Sequence, residues 1–300
     1  MSINVIKVKA SSLSKELPES APEELVCELR DHSESYAFIG KENGIVNTVS
    51  FYRPREWDSR FFGLKMATLY SYILDNSIVN QKSVEKCIGR TVEETREEKV
   101  ACVFSRVGLE TPAIIRAQEK VGFHIYDIGC KFRYQSSKAQ NSRFNNLESL
   151  TEPSESDIWE LIALSSQLFE LDHYHQDSRI GKEAADSMYG IWIRNLYFDE
   201  SCRVSVSKNS GRIDGFVSIR EISQNRGTKS RSYVIDLIGV SKENRGRGFG
   251  KGLLAWALKQ IPPTSQVYVS TQLSNRAAVQ LYLNAGFMPL SYYATMHLWH

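Results

Sequence analysis

A glycine-rich stretch at residues 245–252 has the composition of an anion site. Four glycines alternate there with two arginines, a phenylalanine and a lysine, so backbone N–H groups can approach a ligand closely. A β-branched apolar run over 234–240 precedes the stretch and apolar residues at helical spacing follow it, which predicts strand, loop and helix. Aligned peptide dipoles at a helix start attract phosphate, and the alternative is a surface turn whose glycines serve helix packing. The predicted site comprises Arg245, Gly246, Arg247, Gly248, Phe249, Gly250 and Lys251.

The stretch 275–287 adds a residue that could move a proton. Tyr282 carries a phenol with an ordinary pKa of about 10, which can donate to a leaving group within hydrogen-bond reach. It also lies near Val279 and Leu281, so a structural place in the core is the alternative. Asn275 precedes a predicted helix and is of the type that caps one.

Together the two stretches resemble the motifs of GNAT acyltransferases. Residues 245–250 fit the pattern R/Q-x-x-G-x-G/A, and residues 275–287 fit N-x-x-A-x-x-L-Y-x-x-x-G-F, in the order and on the elements that the family requires. The resemblance covers residues 145–300 and implies an acyl-CoA-dependent N-acyltransferase with acetyl-CoA as co-substrate. It also implies that the amides of 246–251 bind the pyrophosphate, that Asn275 touches CoA, that Ile238 and Val240 offer backbone groups to the pantetheine arm and the oxyanion, and that Tyr282 is the general acid.

A narrower resemblance concerns the acceptor. Residues 57–63 and the region 51–134 around them are similar to the N-terminal half of dTDP-fucosamine acetyltransferases, which N-acetylate a dTDP-linked 4-amino-4,6-dideoxy sugar. The loop at 173–180 is similar to their acceptor-side loop, which implies contact of a nucleotide-linked amino sugar with His173, His175, Asp177 and Arg179. The alternatives are a GNAT that acetylates a peptide, polyamine or antibiotic amine, and a non-catalytic acyl-CoA sensor.

The general base is left open among several residues. Asp236 stands alone in an apolar strand, and is either a functional acid or the polar residue of an exposed pleat. Glu221, His173 and His175 are further candidates, and a water chain could do the same work. Two histidines at i and i+2 without a third ligand predict no metal site. The aromatic residues Trp57, Phe61 and Phe62 are expected to be core residues or to stack on a base or sugar.

An internal repeat predicts how these residues are positioned. One constant shift lays Val103 on Val267, Ala113 on Ala277 and Gly122 on Gly286, but the first copy has no glycine loop and has Gln118 in place of Tyr282. We therefore predict a tandem GNAT fold of the α/β class, with mixed central sheets flanked by helices. Residues 1–140 form its degenerate half and residues 141–300 its catalytic half, joined by a linker at 135–146 rich in Gln, Ser and Asn.

The amino-acid composition limits the classes of partner and the cell compartment that we expect for this protein. With 37 basic against 35 acidic residues, net charge is +2, which gives no sign of nucleic-acid binding. The five cysteines form no C-x-x-C pair, the first twenty residues lack the apolar core of a signal peptide, and no stretch has the composition of a membrane span. We expect a cytoplasmic enzyme acting on a small-molecule amine without nucleic-acid or membrane partners, and its oligomeric state, including a homodimer, is left open.

Overall fold

The computed structural model describes residues 4–13, 17–18, 21–32, 35–42, 44–74, 80–134, 150–222 and 231–300. The chain divides into two compact units: unit 1 is Met1–Tyr126 with Tyr293–His300, and unit 2 is Asp127–Tyr292. The predicted boundary at residue 140, the predicted linker and nearly all of a strand predicted at 144–150 lie outside the described residues. The division at 140 therefore stays a prediction.

Unit 1 is a mixed sheet with helices. Its strands lie in the order β1, β2, β3, β4, β5 and β11, and among the ladders between its described residues only β4–β5 is parallel. Phe51 and Leu25 belong to one of its apolar clusters and Phe123 to another, all fully buried. The elements are β1 (Asn4–Lys9), α1 (Ala10–Leu13), α2 (Glu23–Asp31), β2 (Tyr36–Glu42), β3 (Ile45–Pro54), α3 (Glu56–Phe62), β4 (Met66–Ile73), α4 (Gln81–Glu97), β5 (Cys102–Gly108), α5 (Pro112–Lys120) and the end of β11 (Phe287–Trp299).

Unit 2 has the same design. Its strands lie in the order β6, β10, β9, β8 and β7, and in the part of unit 2 that the structure describes only the β9–β10 pair is parallel. Phe132 and Phe287 are buried in the core between this sheet and helices α9 and α10. The elements are β6 (His124–Tyr134, from Asp127 onward), α6 (Ile158–Ser165), α7 (His173–Gln176), α8 (Lys182–Phe198), β7 (Cys202–Asn209), β8 (Arg212–Ile222), β9 (Ser232–Val240), α9 (Phe249–Gln260), β10 (Gln266–Gln272) and α10 (Arg276–Asn284).

Each unit takes its last strand from the other half of the sequence. Strand β6 follows α5 along the chain but pairs antiparallel with β10, from Tyr268↔Arg133 to Gln272↔Gly129. Strand β11 follows α10 but pairs antiparallel with β5, from Tyr293↔Gly108 to Trp299↔Cys102. Unit 1 is therefore built from two separate stretches of the sequence, whereas unit 2 is one continuous stretch whose bounds do not coincide with the two halves of the repeat.

The internal repeat is present in three dimensions. The shift that aligns Val103 with Val267 carries both bounds of β5 onto those of β10, and both bounds of α5 onto those of α10. The parallel ladders also match, because each contains four paired residues, ending at Leu69↔Ser105 in unit 1 and at Ile235↔Val269 in unit 2. The predicted mixed α/β architecture is confirmed.

One local expectation was wrong. An Asp directly before the apolar-periodic run at 158–169 predicts that Asp157 caps a helix there, but α6 ends at Ser165 and the Asp157 side chain does not cap it. Its carboxylate instead accepts from the backbone N–H of Ser154 at 2.7 Å and from Lys208 Nζ at 2.6 Å, which lowers the Asp157 pKa to about 2. The carboxylate is thus used in a capping box with Ser154, directly before α6, and in an ion pair with Lys208, and not at the N–H groups of α6 itself. None of the described helices is long and apolar enough to cross a membrane.

Candidate active site

The parallel ladder between β9 and β10 ends before either strand does. It runs from Ser232↔Gln266 to Ile235↔Val269, although β9 continues to Val240. Beyond that point β10 pairs with β6, while β9 remains paired only with β8, up to Val240↔Gly215. Along residues 236–240, β9 therefore has no strand partner on its β10 side among the described ladders. Backbone N–H and C=O groups need partners, so this edge suits an extended ligand that carries amides.

A bulge separates the paired and unpaired parts of β9. The register between β8 and β9 shifts at Ser218, whose buried Oγ accepts from Leu237 N at 2.9 Å and donates to Leu237 O at 3.2 Å. After the bulge, Ile238 and Val240 pack against the core formed with α9 and α10. Gly239 faces the other way, where a Cβ would lie 2.7 Å from Leu168 Cδ1. Ile238 and Val240 thus lie in the unpaired part of β9, on the α9 side.

The glycine loop directly follows this strand. Gly246 and Gly248 have φ of 76° and 88°, a left-handed conformation that favours glycine. Nothing lies within 4 Å of a Cβ built at either position, so helix packing does not explain these two glycines. Helix α9 begins after Gly248 without a side-chain cap, so its first N–H groups have no intrahelical partner. Residues 245–248 and Lys251 are exposed, and the predicted anion loop is open to solvent.

A hydrogen-bonded clamp that the sequence did not signal fixes the start of this loop. Asn244 Nδ2 donates to Asp214 Oδ1 at 2.8 Å and to Ser241 Oγ at 2.9 Å. The N–H of Ser241 donates to the carbonyl of Asp214, also at 2.8 Å. Arg245 Nε lies 3.4 Å from the carbonyl oxygen of Val240. The turn between β9 and the glycines is therefore tied to the start of β8.

Tyr282 is buried, with 3% of its surface exposed, in the core beneath α10. Its ring centroid lies 5.8 Å from that of Phe132 and 5.7 Å from that of Phe287. Burial raises the pKa of its phenol, which therefore keeps its proton across the physiological range. These facts suit a proton donor and a core aromatic alike. Asn275 does cap α10, since its Oδ1 accepts from Ala278 N at 3.1 Å, and its contact with CoA stays a prediction.

Both strand carboxylates proposed as bases have partners. The two oxygens of Asp236 accept from Arg220 Nε at 2.8 Å and from Arg220 Nη2 at 2.7 Å, and the Asp236 side chain is only 7% exposed. Glu221 accepts from the Tyr233 hydroxyl at 3.2 Å and lies 3.5 Å from Arg231. Opposite charges on adjacent strands were the available signal for the Asp236–Arg220 pair. Asp236 is thus neither an isolated acid nor an exposed residue.

The four predicted acceptor residues lie in one segment, at 172–181, but differ in their surroundings. His173 is buried, with its ring centroid 4.0 Å from that of Tyr174. Asp177 is buried and accepts from Arg179 N at 3.1 Å, whereas Arg179 is exposed. Both ring nitrogens of His175 contact carboxylates, those of Asp172 and Asp186, which sequence reasoning missed.

The aromatic residues of α3 in unit 1 are not core residues. The Trp57 and Phe61 rings stack with centroids 5.4 Å apart, and Phe61 meets Phe62 edge-on at 4.7 Å, while Trp57 is 36% exposed.

All five cysteines are free. Among the described residues, no group of three or more His, Cys, Asp and Glu side chains is arranged to hold a metal ion.

Comparison with known sequences shows which family the region around the unpaired end of β9 resembles. A model of the acetyltransferase (GNAT) family matches residues 166–287. The spore coat polysaccharide biosynthesis protein SpsD of Bacillus subtilis (strain 168) is 27% identical over 150 residues, covering 49% of this chain and 49% of that protein. The match thus spans about half the length of this curated relative.

Solved structures share the fold over the full chain. A GCN5-related N-acetyltransferase from Sphaerobacter thermophilus aligns with a TM-score of 0.61 at 14% identity, covering 98% of this chain and 95% of that one. A tandem GNAT protein from the clavulanic acid biosynthesis pathway aligns with a TM-score of 0.55 at 12% identity, covering 99% and 98%. The predicted tandem GNAT architecture is confirmed by these similarities. Residues 166–287, which include the unpaired end of β9 and the glycine loop, form an acetyltransferase domain of the GNAT family of acyl-CoA-dependent N-acyltransferases.

Proposed function

We propose that this protein transfers an acetyl group from acetyl-CoA to the amine of a nucleotide-linked amino sugar. The observation that carries the acyltransferase part is the uncapped, exposed start of α9 directly after the unpaired end of β9. The sugar part is supported by the similarity to a spore coat polysaccharide biosynthesis protein and by the resemblance of 57–63 and 173–180 to dTDP-fucosamine acetyltransferases.

The residues at this site fit acetyl-CoA. Gly246 and Gly248 leave open space where side chains would otherwise stand, and the first N–H groups of α9 present partial positive charge. Arg247 and Lys251 are exposed and add full positive charge beside a pyrophosphate. The β10-facing edge of residues 236–240 would pair with the amides of the pantetheine arm. When bound, acetyl-CoA supplies the activated acetyl group and the thiol leaving group.

Three features of unit 2 would then act on the reaction. A backbone N–H at Val240 would hydrogen-bond a carbonyl oxygen and favour negative charge there, as fixed donors do in oxyanion holes. The Tyr282 phenol keeps its proton because burial raises its pKa, so it is ready to donate to a developing thiolate. The enclosing core of Leu253, Val267 and Phe287 excludes water from the phenol ring.

The acceptor must lose a proton before it attacks, and Asp236 remains our candidate for the base. Its carboxylate is held by Arg220, so its orientation is fixed. The Arg220 guanidinium already occupies both carboxylate oxygens, so we expect proton transfer from the acceptor to Asp236 to run through water. Asp236→Asn together with Arg220→Gln tests this role, because a structural ion pair would change stability and leave the pH profile of kcat unaltered.

A thiol-release screen tests the proposed function. The full-length protein is incubated with acetyl-CoA and, separately, with dTDP- and UDP-linked amino sugars, free glucosamine, a peptide and spermidine. Turnover confined to the nucleotide-linked sugars supports the proposal, whereas turnover with only the peptide or the polyamine contradicts the acceptor class. Tight acetyl-CoA binding without turnover of any amine would favour a non-catalytic sensor.

Matched charge reversals on α9 test the cofactor site. Lys251 lies in the first turn of the helix and Lys259 in its last, and both are exposed. Lys251→Glu should raise the KM for acetyl-CoA about tenfold, because charge-assisted contacts contribute roughly 1.5–3 kcal/mol. Lys259→Glu, far along the helix from the glycines, should leave that KM unchanged. Equal effects of the two variants would show that Lys251 has no special relation to the cofactor.

A further inference from the structure

His175 lies between two carboxylates in unit 2. Its Nδ1 is 2.6 Å from Asp172 Oδ2 and its Nε2 is 2.9 Å from Asp186 Oδ1. The side chains of His175 and Asp172 are 5% and 4% exposed, so water hardly reaches the Asp172 contact. An ionised carboxylate only accepts hydrogen bonds, so both contacts are hydrogen bonds only when both ring nitrogens carry a hydrogen. The arrangement therefore selects the imidazolium form.

The charges around the ring favour this form. Burial lowers the pKa of His175, but the hydrogen bonds and charges of Asp172 and Asp186 outweigh burial, and the net shift is upward. Lys182 lies 2.8 Å from Asp186 Oδ2 and neutralises its second oxygen. The Tyr189 ring stacks on His175 at 5.9 Å, and burial raises the pKa of its phenol, so Tyr189 stays neutral.

These contacts close the 172–181 segment at its base. Asp172 caps α7, accepting from Tyr174 N at 2.8 Å and from His175 N at 3.4 Å. Asp186 belongs to α8, which begins at Lys182, directly after the segment. The His175 ring therefore cross-links the first residue of the segment to the helix that follows its last residue. The residues between them, including Arg179, lie within the loop that this cross-link closes.

The 172–181 segment also begins close to the unpaired part of β9. Leu168, a few residues before it, packs on Gly239 in the unpaired part of β9. Ile238 and Val240 face the α9 core, so Gly239 and Leu168 lie on the opposite face of the sheet. A thioester held along this end of β9 would be open to an amine from that face, where the segment begins.

We propose that His175 is a positioning residue, which joins Asp172 to Asp186 and thereby holds the 172–181 segment in the shape that receives the acceptor amine. This inference rests on the proposed function for the acceptor part only. His175 does not itself contact the acceptor, because both of its ring nitrogens are used by the carboxylates. The sequence-based assignment of His175 as a substrate-contacting residue is thereby replaced by an indirect role.

The cross-link can be tested without any substrate. Nitrogen NMR of the histidine rings in the full-length protein, with His175→Gln used to assign the signal, should show both nitrogens of His175 protonated at pH 7. Amide hydrogen exchange in 172–181 should be about tenfold faster in His175→Gln, and exchange in α9 should be unchanged. A neutral His175 ring, or unchanged exchange in 172–181, would overturn the proposal.

Kinetics test the acceptor role. His175→Gln should raise the KM for the accepted amine about tenfold and leave the KM for acetyl-CoA within about twofold. Asp186→Asn keeps an acceptor for Nε2 and should give a smaller rise of the same kind, even if His175→Gln is unstable. The matched control is His124→Gln, an exposed histidine of unit 1, which should change neither KM.

The pH dependence separates positioning from a general loss of structure. The ratio of the amine KM in His175→Gln to that in wild type should fall towards one as pH rises through the raised pKa, because wild type then loses one of the two bonds. Equal rises in both KM values, or a pH-independent ratio, would overturn the positioning role. If wild type turns over no amine, the proposed function fails and takes the acceptor role with it. The NMR and exchange results would still report whether the cross-link exists.

Discussion

Helix α4 in unit 1 and helix α9 in unit 2 each follow a strand of the parallel ladder in their unit, but the N-termini of the two helices are capped differently. Asn80 caps α4, and its side chain accepts from Lys82 N at 3.1 Å and from Ser83 N at 3.4 Å. Helix α9 begins after Gly248 with no side-chain cap. The first N–H groups of the helix are thus partly satisfied by a side chain in unit 1 and have no side-chain cap in unit 2.

The ends of the parallel ladders differ in the same sense. In unit 1 the last pair is bridged by side chains, because Gln118 Nε2 donates to Ser105 Oγ at 2.8 Å and Ser105 Oγ donates to the carbonyl of Leu69 at 3.3 Å. In unit 2 the residue equivalent to Ser105 is Val269, which cannot form such a bridge, and Tyr282 stands where Gln118 does. The two copies of the repeat therefore keep the same fold while this position carries a polar side-chain bridge in unit 1 and apolar and aromatic side chains in unit 2.

The largest difference in kcat between matched variants of the two units is expected at Tyr282 and its equivalent, Gln118. Tyr282→Phe keeps the ring contacts with Phe132 and Phe287 but removes the proton, so kcat should fall on the order of 100-fold, as for loss of a general acid. Gln118→Leu in unit 1 should leave kcat within about twofold. Steady-state thiol release measures both, and an unchanged kcat in Tyr282→Phe would reduce Tyr282 to a core residue.

A smaller effect is expected from two glycines that have a similar positive φ. Gly248 in unit 2 and Gly44 in unit 1 have φ of 88° and 83°, with nothing within 4 Å of either Cβ position. Valine at each should cost on the order of 1–2 kcal/mol of unfolding free energy. Only Gly248→Val should also raise the KM for acetyl-CoA, about tenfold, because it fills the anion loop. Equal KM values in the two variants would count against a pyrophosphate site there.

The helix caps allow a finer comparison. Asn80→Ala and Asn275→Ala each remove a side-chain cap and should lower the unfolding free energy by about 1 kcal/mol, measured by urea unfolding. Asn275→Ala should in addition raise the KM for acetyl-CoA several-fold, whereas Asn80→Ala should not. If Asn275→Ala changes stability alone, its role is restricted to capping.

The smallest effects concern pH, and they have opposite signs in the two units. His175 has a raised pKa, so its stabilisation of unit 2 is complete below the unfolded pKa of about 6.5 and is lost as pH rises through the folded value. His300 in unit 1 has a pKa lowered by burial and by Arg96, so its contribution is complete above about 6.5 and is lost as pH falls through the folded value. The Tm difference between wild type and His175→Gln should shrink at alkaline pH, and that for His300→Gln should shrink at acid pH. Parallel trends in the two variants would contradict these assignments.

Local signals in the sequence predicted the parts of the site that are contiguous in the chain. The glycine loop, the helix after it and the Asn275-to-Phe287 stretch each carry their own spacing, and the structure has the corresponding elements in place. The decayed repeat was equally readable, because the shift that aligns β5 with β10 is preserved residue by residue. The partners of His175 and Asn244 could not be predicted, since Asp186 and Asp214 come from other elements.

By itself, the sequence determined that one half of this chain carries a glycine-rich loop before a helix and a tyrosine at the spacing of a GNAT domain, because both motifs depend on local backbone conformation and helical periodicity. Tertiary structure alone decided that β6 and β11 each complete a sheet formed largely by the other half of the sequence. It also decided that the ladder ends at Ile235, which frees the edge of β9, and that His175 is held between Asp172 and Asp186. Strand pairing and charge pairing join residues far apart in sequence, and no local pattern records which partner each will find.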